Sequence, residues 1–186
     1  TPASLPKGWS HTDIGDVTLP GDASYANHEF NLVAAGADIW GRADAFHFAD
    51  TMMSGDGEIV ARVKTLQFTD PWAKAGVMCR ADLDPAARHV LMAVTAEGNS
   101  TFQERTAARA RCDATTGPTA KVPCWVKLVR SGDIFTGYIS NDGQHWQAVG
   151  SSTNAMPKKI CVGIALTSHN TSALNSALFD NVSVSR

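Results

Sequence analysis

The segment from Gly55 to Arg80 constrains the fold of this chain more than any other, because its pattern is that of two β-strands joined by a polar turn. In the second strand, over residues 74–80, apolar side chains alternate with side chains that include Lys74 and Arg80. Successive side chains of a strand point to opposite faces of its sheet. The segment therefore predicts a sheet with one buried face and cations on the other, with Trp72 at the entrance to the strand. Such a face is either a recognition surface or an ordinary solvated surface.

Period-two alternation recurs along the chain, and long stretches with the 3.6-residue period of an amphipathic helix are absent. The predicted strands are 10–17, 28–35, 44–52, 57–67, 73–81, 88–96, 101–110, 124–131, 133–140, 144–149, 159–167 and 176–184. Segment 111–123 is predicted to be a loop, and 84–88 a single helical turn with Pro85 at its first position. The pattern predicts an all-β protein, a two-sheet antiparallel sandwich of the jelly-roll type. Residues 1–186 are predicted to form one domain, with 1–8 as an extended tail.

One local motif predicts a tight hairpin. In the run from Ser140 to Trp146, SNDGQHW, Asn-Asp-Gly supplies the residue with positive φ that such a turn needs. We expect Asp142 to accept hydrogen bonds from turn amides and Trp146 to pack under the turn. The motif is close to the Asp-box turn of sialidases but one residue shorter, and a stabilised hairpin is its simplest interpretation.

Charge and hydropathy exclude several classes of function. The formal net charge is −2 and no basic run is present, so the chain has no electrostatic footprint for nucleic acid. The apolar stretches are far shorter than a membrane-spanning helix, so we expect no membrane insertion.

The four cysteines lack the CxxC spacing of a zinc site, which favours disulfides formed in an oxidising compartment. This interpretation predicts a protein that is secreted or displayed at the cell surface. Cys112 and Cys124 would come within bonding distance if the strands that they end and begin are antiparallel neighbours. The remaining pair, Cys79 and Cys161, fits less well, because strand parity directs the two sulfurs apart.

Several blocks of sequence together resemble a known superfamily. In chain order, from about residue 9 to 184, they are GADIWG, DAFHF, SGDGEIVARV, TDPWAKAGVM, WVKLVRSG, FTGYISNDG, VGIALTSHN and FDNVSV. They resemble a bacterial extracellular domain of the concanavalin A-like lectin/glucanase superfamily, of the type of unknown function often appended to secreted polysaccharide-active or surface proteins. The resemblance implies the sandwich fold, although a fold shared with lectins does not carry lectin activity with it. Cys79, Cys124 and Cys161 stand where apolar or aromatic residues are usual, which indicates disulfides peculiar to this chain or buried free thiols.

The resemblance also bears on metal binding and catalysis. Related sandwiches often hold a structural calcium ion, for which Asp180 is the matching candidate, with Asp22 or Glu29 as further ligands; calcium takes 6–8 oxygen ligands. Glucanases on this fold carry a series of carboxylates along one strand. That spacing is absent, because Asp56 and Glu58 share a face but lie at a turn. No cofactor is expected, and a non-catalytic protein is favoured.

Strand parity predicts that polar and aromatic side chains collect on one outward sheet face. Phe46, Phe48 and Val90 are predicted to face the core, so the residues that alternate with them face outward. Arg, His and Gln side chains match sugar hydroxyls and Trp matches the C–H face of a sugar ring, and several cations together would favour an acidic glycan. The candidate carbohydrate-binding residues are Trp40, Asp44, His47, Trp72, Lys74, Arg80, His89, Gln103, Arg105 and His169.

The resemblance and this face together favour a non-catalytic, lectin-like carbohydrate-binding domain of a secreted protein, with a polysaccharide as its partner. Two alternatives stay open at this point. One is a protein-interaction or surface-adhesion module, and the other is a glycan-active enzyme with non-standard catalytic residues.

Overall fold

The computed structural model describes residues 4–186, which are all-β and form two antiparallel sheets of seven strands each. The strands are β1 (Ser10–Ile14), β2 (Asp22–Ala26), β3 (Glu29–Ala34), β4 (Phe46–Ser54), β5 (Gly57–Leu66), β6 (Lys74–Arg80), β7 (His89–Thr95), β8 (Asn99–Arg105), β9 (Asp113–Thr119), β10 (Cys124–Ser131), β11 (Ile134–Ser140), β12 (Gln147–Thr153), β13 (Lys159–Thr167) and β14 (Asn175–Ser185). The first sheet has the order β1-β4-β13-β6-β7-β8-β9, and the second has the order β12-β11-β10-β5-β14-β3-β2. The predicted two-sheet jelly-roll sandwich is confirmed. No helix of the described residues is long and apolar enough to cross a membrane.

The main core lies between the two sheets. Val77 and Met92 project into it from the first sheet, and Val126 and Leu128 from the second, all fully buried. Burial of such a side chain contributes about 1.5–3 kcal/mol. Of the tail predicted at 1–8, residues 1–3 lie outside the described part of the chain, and Leu5 packs against the margin of this core.

Two strands were not predicted, and one predicted helical turn does not form. Segment 111–123 is not only a loop, because it contains β9, which pairs with the edge of β8. The other unpredicted strand is β2, which pairs with β3. The sequence of β9, DATTGPT, shows no alternation because this edge strand is exposed along most of its length, and an edge position tolerates proline. Residues 84–88 form a turn in which the Ala87 N–H donates to the Asp84 carbonyl.

A second apolar cluster covers part of the outer face of the first sheet, on the side away from the main core. It contains Phe46 and Phe48 together with Ile39 and Leu91, all fully buried. The prediction that the two phenylalanines point between the sheets is therefore wrong. Parity separates the two faces of β4, but at Phe46 and Phe48 both faces are buried, because the segment around Ile39 covers the outer one.

None of the four cysteines forms a disulfide, and all four are buried. Both predicted bridges are wrong. Cys112 precedes β9 in the first sheet, whereas Cys124 begins β10 in the second sheet, so the two strands are not neighbours. Cys79 points into the main core and Cys161 into the second cluster, although β6 and β13 pair directly. Burial raises the pKa of the Cys79 and Cys112 thiols to about 12, which leaves both protonated.

The predicted hairpin is present between β11 and β12. The Asp142 Oδ1 accepts hydrogen bonds from the Gln144 and His145 N–H groups, both at 2.8 Å, and Gly143 has a φ of 75°. The indole beneath the turn is that of Trp125, since a Cβ on Gly143 would lie 2.7 Å from its ring. Trp146 instead stacks on the Lys127 ammonium, 4.2 Å from its ring centroid.

Candidate ligand-binding cleft

A cleft of about 540 Å³ lies on the outer face of the first sheet, over β6 to β9. Loops supply one side of it and strands supply its floor. The lining residues are Asp38, Trp40, Trp72, Lys74, Thr95, Asn99, Ser100, Thr101, Gln103, Ala114, Thr116 and His169. Asn99, Thr101 and Gln103 are at alternate positions of β8, so their side chains share its outer face.

Two indoles flank a buried ammonium group at one end of the cleft. Trp40 and Trp72 are 42% and 52% exposed, whereas Lys74, the first residue of β6, is only 4% exposed. The Lys74 Nζ lies 5.9 Å from the ring centroid of each indole. It donates to the Asp38 Oδ1 at 2.7 Å, which neutralises its charge within the site. The result is an ion pair at the floor with an exposed aromatic side chain on either side.

His169 ties together the loops at this end. Its Nε2 lies 3.3 Å from the Asp38 Oδ2, and its Nδ1 lies 3.1 Å from the Asp70 Oδ1. The same Asp70 oxygen accepts a hydrogen bond from the Trp72 N–H at 2.8 Å. Lys74, Asp38, His169 and Asp70 thus form one connected polar network that fixes the loop carrying Trp72.

A buried ion cluster lies beside the cleft and has no access to solvent. The Asp44 carboxylate accepts hydrogen bonds from Arg80 Nη1 at 2.6 Å and from Arg105 Nη1 and Nη2 at 2.8 and 2.7 Å. Burial acts to raise the pKa of Asp44, but neighbouring His89, Arg105 and Arg80 outweigh it, and that pKa is lowered. Burial also lowers the pKa of His89 to about 3, so its imidazole is neutral and the carboxylate is paired with the two guanidinium groups alone.

This arrangement corrects the predicted role of four residues. Asp44, Arg80, His89 and Arg105 do lie together on the outer face, but their side chains are buried beneath loops and cannot contact a ligand directly. Their hydrogen bonds hold loop backbone instead: Arg105 Nη2 donates to the Gly41 carbonyl at 3.1 Å. They therefore position the loops that form the cleft.

His47 is also corrected, because it lies on the other side of β4. Its Nδ1 is 2.8 Å from the Asp13 Oδ1, and its Nε2 is 2.9 Å from the His11 Nδ1. It shares its face of the strand with Ala49, which belongs to the main core. His47 is thus separated from the cleft by the sheet itself.

Five predicted residues do line the cleft, and carbohydrate binding by them stays a prediction: Trp40, Trp72, Lys74, Gln103 and His169. Sequence reasoning missed Asn99 and Thr101, although their parity with Gln103 would have found them. It also missed Asp38 as a cleft residue. No periodic signal marks that position, because it lies in a loop whose path depends on the second apolar cluster.

The described residues offer two places where a metal ion could be considered, and neither fits one well. Both oxygens of the Asp180 carboxylate accept hydrogen bonds from the Arg62 guanidinium. This cationic side chain already occupies the position that a calcium ion bound to Asp180 would take. Calcium at Asp180 stays a prediction that this geometry does not favour. Ligand atoms of Asp44, His89 and Cys112 lie within 4.8 Å of one another, but two guanidinium groups already neutralise that carboxylate.

Comparison with known proteins gives matches to structures alone. No protein-family model and no curated protein matches the sequence. A functionally unknown protein from Saccharomyces cerevisiae aligns over 96% of both chains, with a TM-score of 0.75 at 14% identity. The carbohydrate-binding module CBM66 from Bacillus subtilis also aligns over 96% of both chains, with a TM-score of 0.61 at 16% identity. The kappa-carrageenase of Pseudoalteromonas carrageenovora, in complex with an oligotetrasaccharide of kappa-carrageenan, aligns over 95% of this chain and 88% of the other, with a TM-score of 0.63 at 13% identity.

These comparisons define the class of fold. The chain is a concanavalin-like jelly-roll β-sandwich, an architecture that a carbohydrate-binding module and glycoside hydrolases share with it. The fold implied by the sequence resemblance is confirmed. At these identities the comparisons speak to fold only, so the chemistry of the site has to carry the functional argument.

Proposed function

We propose that this chain is a non-catalytic carbohydrate-binding domain that takes a glycan into the cleft on its first sheet. One observation carries the proposal. Trp40 and Trp72 stand half exposed on either side of the buried Lys74–Asp38 ion pair. Large exposed indoles beside fixed polar groups are a binding-site arrangement, because a soluble protein gains no stability from leaving them in water.

The groups in the cleft match the two kinds of surface that a sugar presents. Indole faces can cover the C–H face of a pyranose or furanose ring. Carboxylate, ammonium and amide groups can bind the hydroxyls at its rim. Gln103 donates its Nε2 to the Ile39 carbonyl at 2.7 Å, so its amide oxygen is the atom left to accept a hydroxyl hydrogen.

The charges in the cleft support a neutral glycan over an acidic one. Sequence reasoning favoured an acidic glycan because it placed several cations at the surface. Arg80 and Arg105 are buried against Asp44, and Lys74 is paired with Asp38. A carboxylate or sulfate entering the cleft would meet no unpaired guanidinium and would face the Asp38 charge. Neutral hydroxyls, by contrast, can hydrogen bond to both members of the ion pair.

The non-catalytic character rests on the number of carboxylates. Glycoside hydrolysis of the common kinds uses two carboxyl groups that flank the scissile bond. Among the described residues that line the cleft, Asp38 is the single acidic side chain. Asp70 stands across His169 from it, so the imidazole occupies the space that a substrate would need between them.

Two further considerations support the proposal. The fold is shared with a carbohydrate-binding module and with a carrageenase that has an oligosaccharide bound. If the ligand is a polysaccharide of the cell surface or its surroundings, the domain has to meet it there, so we propose a location outside the cell or on its surface. Free, buried cysteines do not require an oxidising compartment, and the proposed location rests on the ligand alone.

A protein-interaction function is the second candidate, because apolar side chains are exposed beyond the cleft. Phe68 is 65% exposed and Leu174 is 42% exposed. Their segments are joined, since the Asn175 Nδ2 donates to the Gln67 carbonyl at 2.7 Å. Phe68→Ala separates the two functions, because it removes part of this surface without altering the cleft.

Affinity electrophoresis and calorimetry test the proposal. The probes are xylan, xyloglucan and a β-1,3-glucan as neutral polymers, with κ-carrageenan as the sulfated one. We expect retention by at least one neutral polymer, and a loss of affinity of about tenfold or more for Trp72→Ala. Phe68→Ala, a matched exposed aromatic residue outside the cleft, should bind as the unaltered chain does. Binding to none of the neutral polymers, or equal binding by Trp72→Ala and the unaltered chain, would overturn the proposal.

A further inference from the structure

We infer that His169 is a positioning residue that acts as an imidazolium ion, so that the cleft binds its glycan more tightly when this ring holds a proton; the inference rests on the proposed function. The Nε2 of the ring lies 3.3 Å from the Asp38 Oδ2, and the Nδ1 lies 3.1 Å from the Asp70 Oδ1. A neutral imidazole carries one N–H, and its other nitrogen presents a lone pair. One of the two carboxylates would then face that lone pair, whereas an imidazolium presents an N–H to each of them.

The charges around the ring balance only when His169 is protonated. The charged groups that face it are the Asp38 and Asp70 carboxylates, and the Lys74 ammonium is paired with Asp38. With an imidazolium this network holds two cations and two anions, and with a neutral ring Asp70 has no counter-ion within it. The side chains of Asp38, His169 and Asp70 are 22%, 30% and 32% exposed. Water therefore screens these charges only in part, and the arrangement favours the charged ring.

The backbone fixes the ring between the two carboxylates. His169 has a φ of 51°, in the left-handed region that a residue with a Cβ seldom adopts. Ser168 holds this turn, because its Oγ donates to the Asn170 carbonyl and its own carbonyl accepts the Thr69 Oγ1, both at 2.7 Å. The second bond joins the turn to the segment that carries Trp72. Residues held in an unfavourable conformation by their surroundings cluster at functional sites, and this one lies at the edge of the cleft.

Each carboxylate also holds a group that lines the cleft. The Asp38 Oδ1 accepts a hydrogen bond from the Lys74 Nζ at 2.7 Å. The Asp70 Oδ1 accepts one from the Trp72 N–H at 2.8 Å. Loss of the proton makes the contact of one ring nitrogen repulsive, so the carboxylate beside it has to move. Movement of Asp38 removes the partner of Lys74, and movement of Asp70 releases the backbone of Trp72, so in either case the cleft is less well ordered for its ligand.

Proton binding and glycan binding are therefore coupled. A proton that tightens glycan binding is, by linkage, itself bound more tightly when the glycan is present. Formation of the complex should take up protons from solution over the pH range in which the ring titrates. Histidine is the side chain whose charge ordinarily changes between about pH 5 and 8, so the domain should bind more tightly in mildly acidic than in mildly alkaline surroundings.

Calorimetry against pH tests the inference, with xylan, xyloglucan and a β-1,3-glucan as the probes. Between about pH 5.5 and about pH 8.5 we expect the affinity for the retained polymer to fall by about threefold or more. Proton uptake should appear as a binding heat that depends on the ionisation enthalpy of the buffer. His169→Gln keeps a polar side chain without the charge, so it should bind at every pH as weakly as the unaltered chain does at the alkaline end.

His145→Gln is the matched control. That ring also contacts a carboxylate, with its Nδ1 2.6 Å from the Asp142 Oδ2, but it lies on the turn between β11 and β12 of the second sheet. The variant should keep the pH dependence of the unaltered chain. Asp50, whose pKa burial raises to about 6, also titrates in this range. It is present in both variants, so the difference between them isolates the ring of His169.

The outcomes separate this inference from the proposed function. Affinity that does not change with pH, or that changes equally in His169→Gln, would overturn the inference and leave carbohydrate binding standing. No binding of any of the three polymers at any pH would remove both. NMR spectra of the free protein add a test that needs no glycan, because the backbone amide of Trp72 should shift with pH at the same midpoint as the His169 ring. A Trp72 amide that does not follow the ring, or that shifts equally in His169→Gln, would also overturn the inference.

Discussion

The guanidinium of Arg105 holds the carboxylate of Asp44 in a two-point contact, with Nη2 at 2.7 Å from Oδ1 and Nη1 at 2.8 Å from Oδ2. Neither side chain has any solvent exposure. Arg80 binds the same carboxylate from β6, so one acid from a loop pairs with two cations from strands of the first sheet. The contact explains why the loops beside the cleft are fixed although they belong to neither sheet.

Removing the charge of Asp44 should destabilise the fold strongly. Asp44→Asn leaves two buried guanidinium groups without a counter-ion, which costs about 3–5 kcal/mol in the free energy of unfolding. Denaturant unfolding measures this loss. Asp180→Asn is the matched control, because Asp180 binds the partly exposed Arg62 and its loss should cost about 1 kcal/mol or less. Equal effects for the two variants would show that the cluster does not support the fold.

Acid should destabilise the protein through His89. The pKa of His89 is lowered from 6.5 to about 3 by burial, so below pH 6.5 the unfolded chain binds a proton that the folded chain does not. The contribution of His89 to stability is complete above pH 6.5 and is lost as the pH drops towards 3, by about 1 kcal/mol for each pH unit. Urea unfolding across this range measures the slope, and His89→Asn should reduce it. An unchanged slope in the variant would contradict the assignment to His89.

Asp50 should change the free energy of unfolding with pH in the direction opposite to His89. Its carboxyl group is buried, its Oδ1 has no hydrogen-bond partner, and burial raises its pKa from 3.8 to about 6. Between these values the folded chain keeps a proton that the unfolded chain has lost, so stability falls as the pH rises towards 6 and stays reduced above it. Asp50→Asn should therefore stabilise the protein at pH 7.5, by about 1–2 kcal/mol. The exposed Asp113→Asn is the control, and a destabilised Asp50→Asn would refute the argument.

The cysteines should behave as four buried free thiols. In the native protein a thiol reagent should react slowly, because the side chains are buried and burial raises the pKa of each thiol. In denaturant without reductant, four thiols per chain should react at once. Finding two thiols or none under those conditions would indicate disulfides and contradict the structure.

The sequence predicted the face of most strand residues but not what covers that face. Lys74 and Arg80 have the same parity on β6, and both do point outward. Lys74 lines the open cleft, whereas Arg80 lies beneath residues 81–88. Alternation is a local property of one strand, and burial of an outward residue depends on loops whose paths are set by distant contacts.

Phe46 and His47 illustrate the same limit. Alternation distinguishes two faces, and the apolar face was assumed to be the one between the sheets. That assumption fails where a loop builds a second core on the outer face, as Ile39 does here. The cysteine pairing failed for a related reason, because sequence proximity of Cys112 and Cys124 does not reveal that the chain changes sheets between them.

A crystal structure of the protein with a bound neutral oligosaccharide, drawn from whichever polymer is retained, tests the central claim most directly. We expect a sugar ring between the Trp40 and Trp72 indoles, with hydroxyls hydrogen-bonded to the Asp38 carboxylate and the Lys74 ammonium. A sugar bound elsewhere on the sandwich, with these two indoles still exposed to solvent, would contradict it.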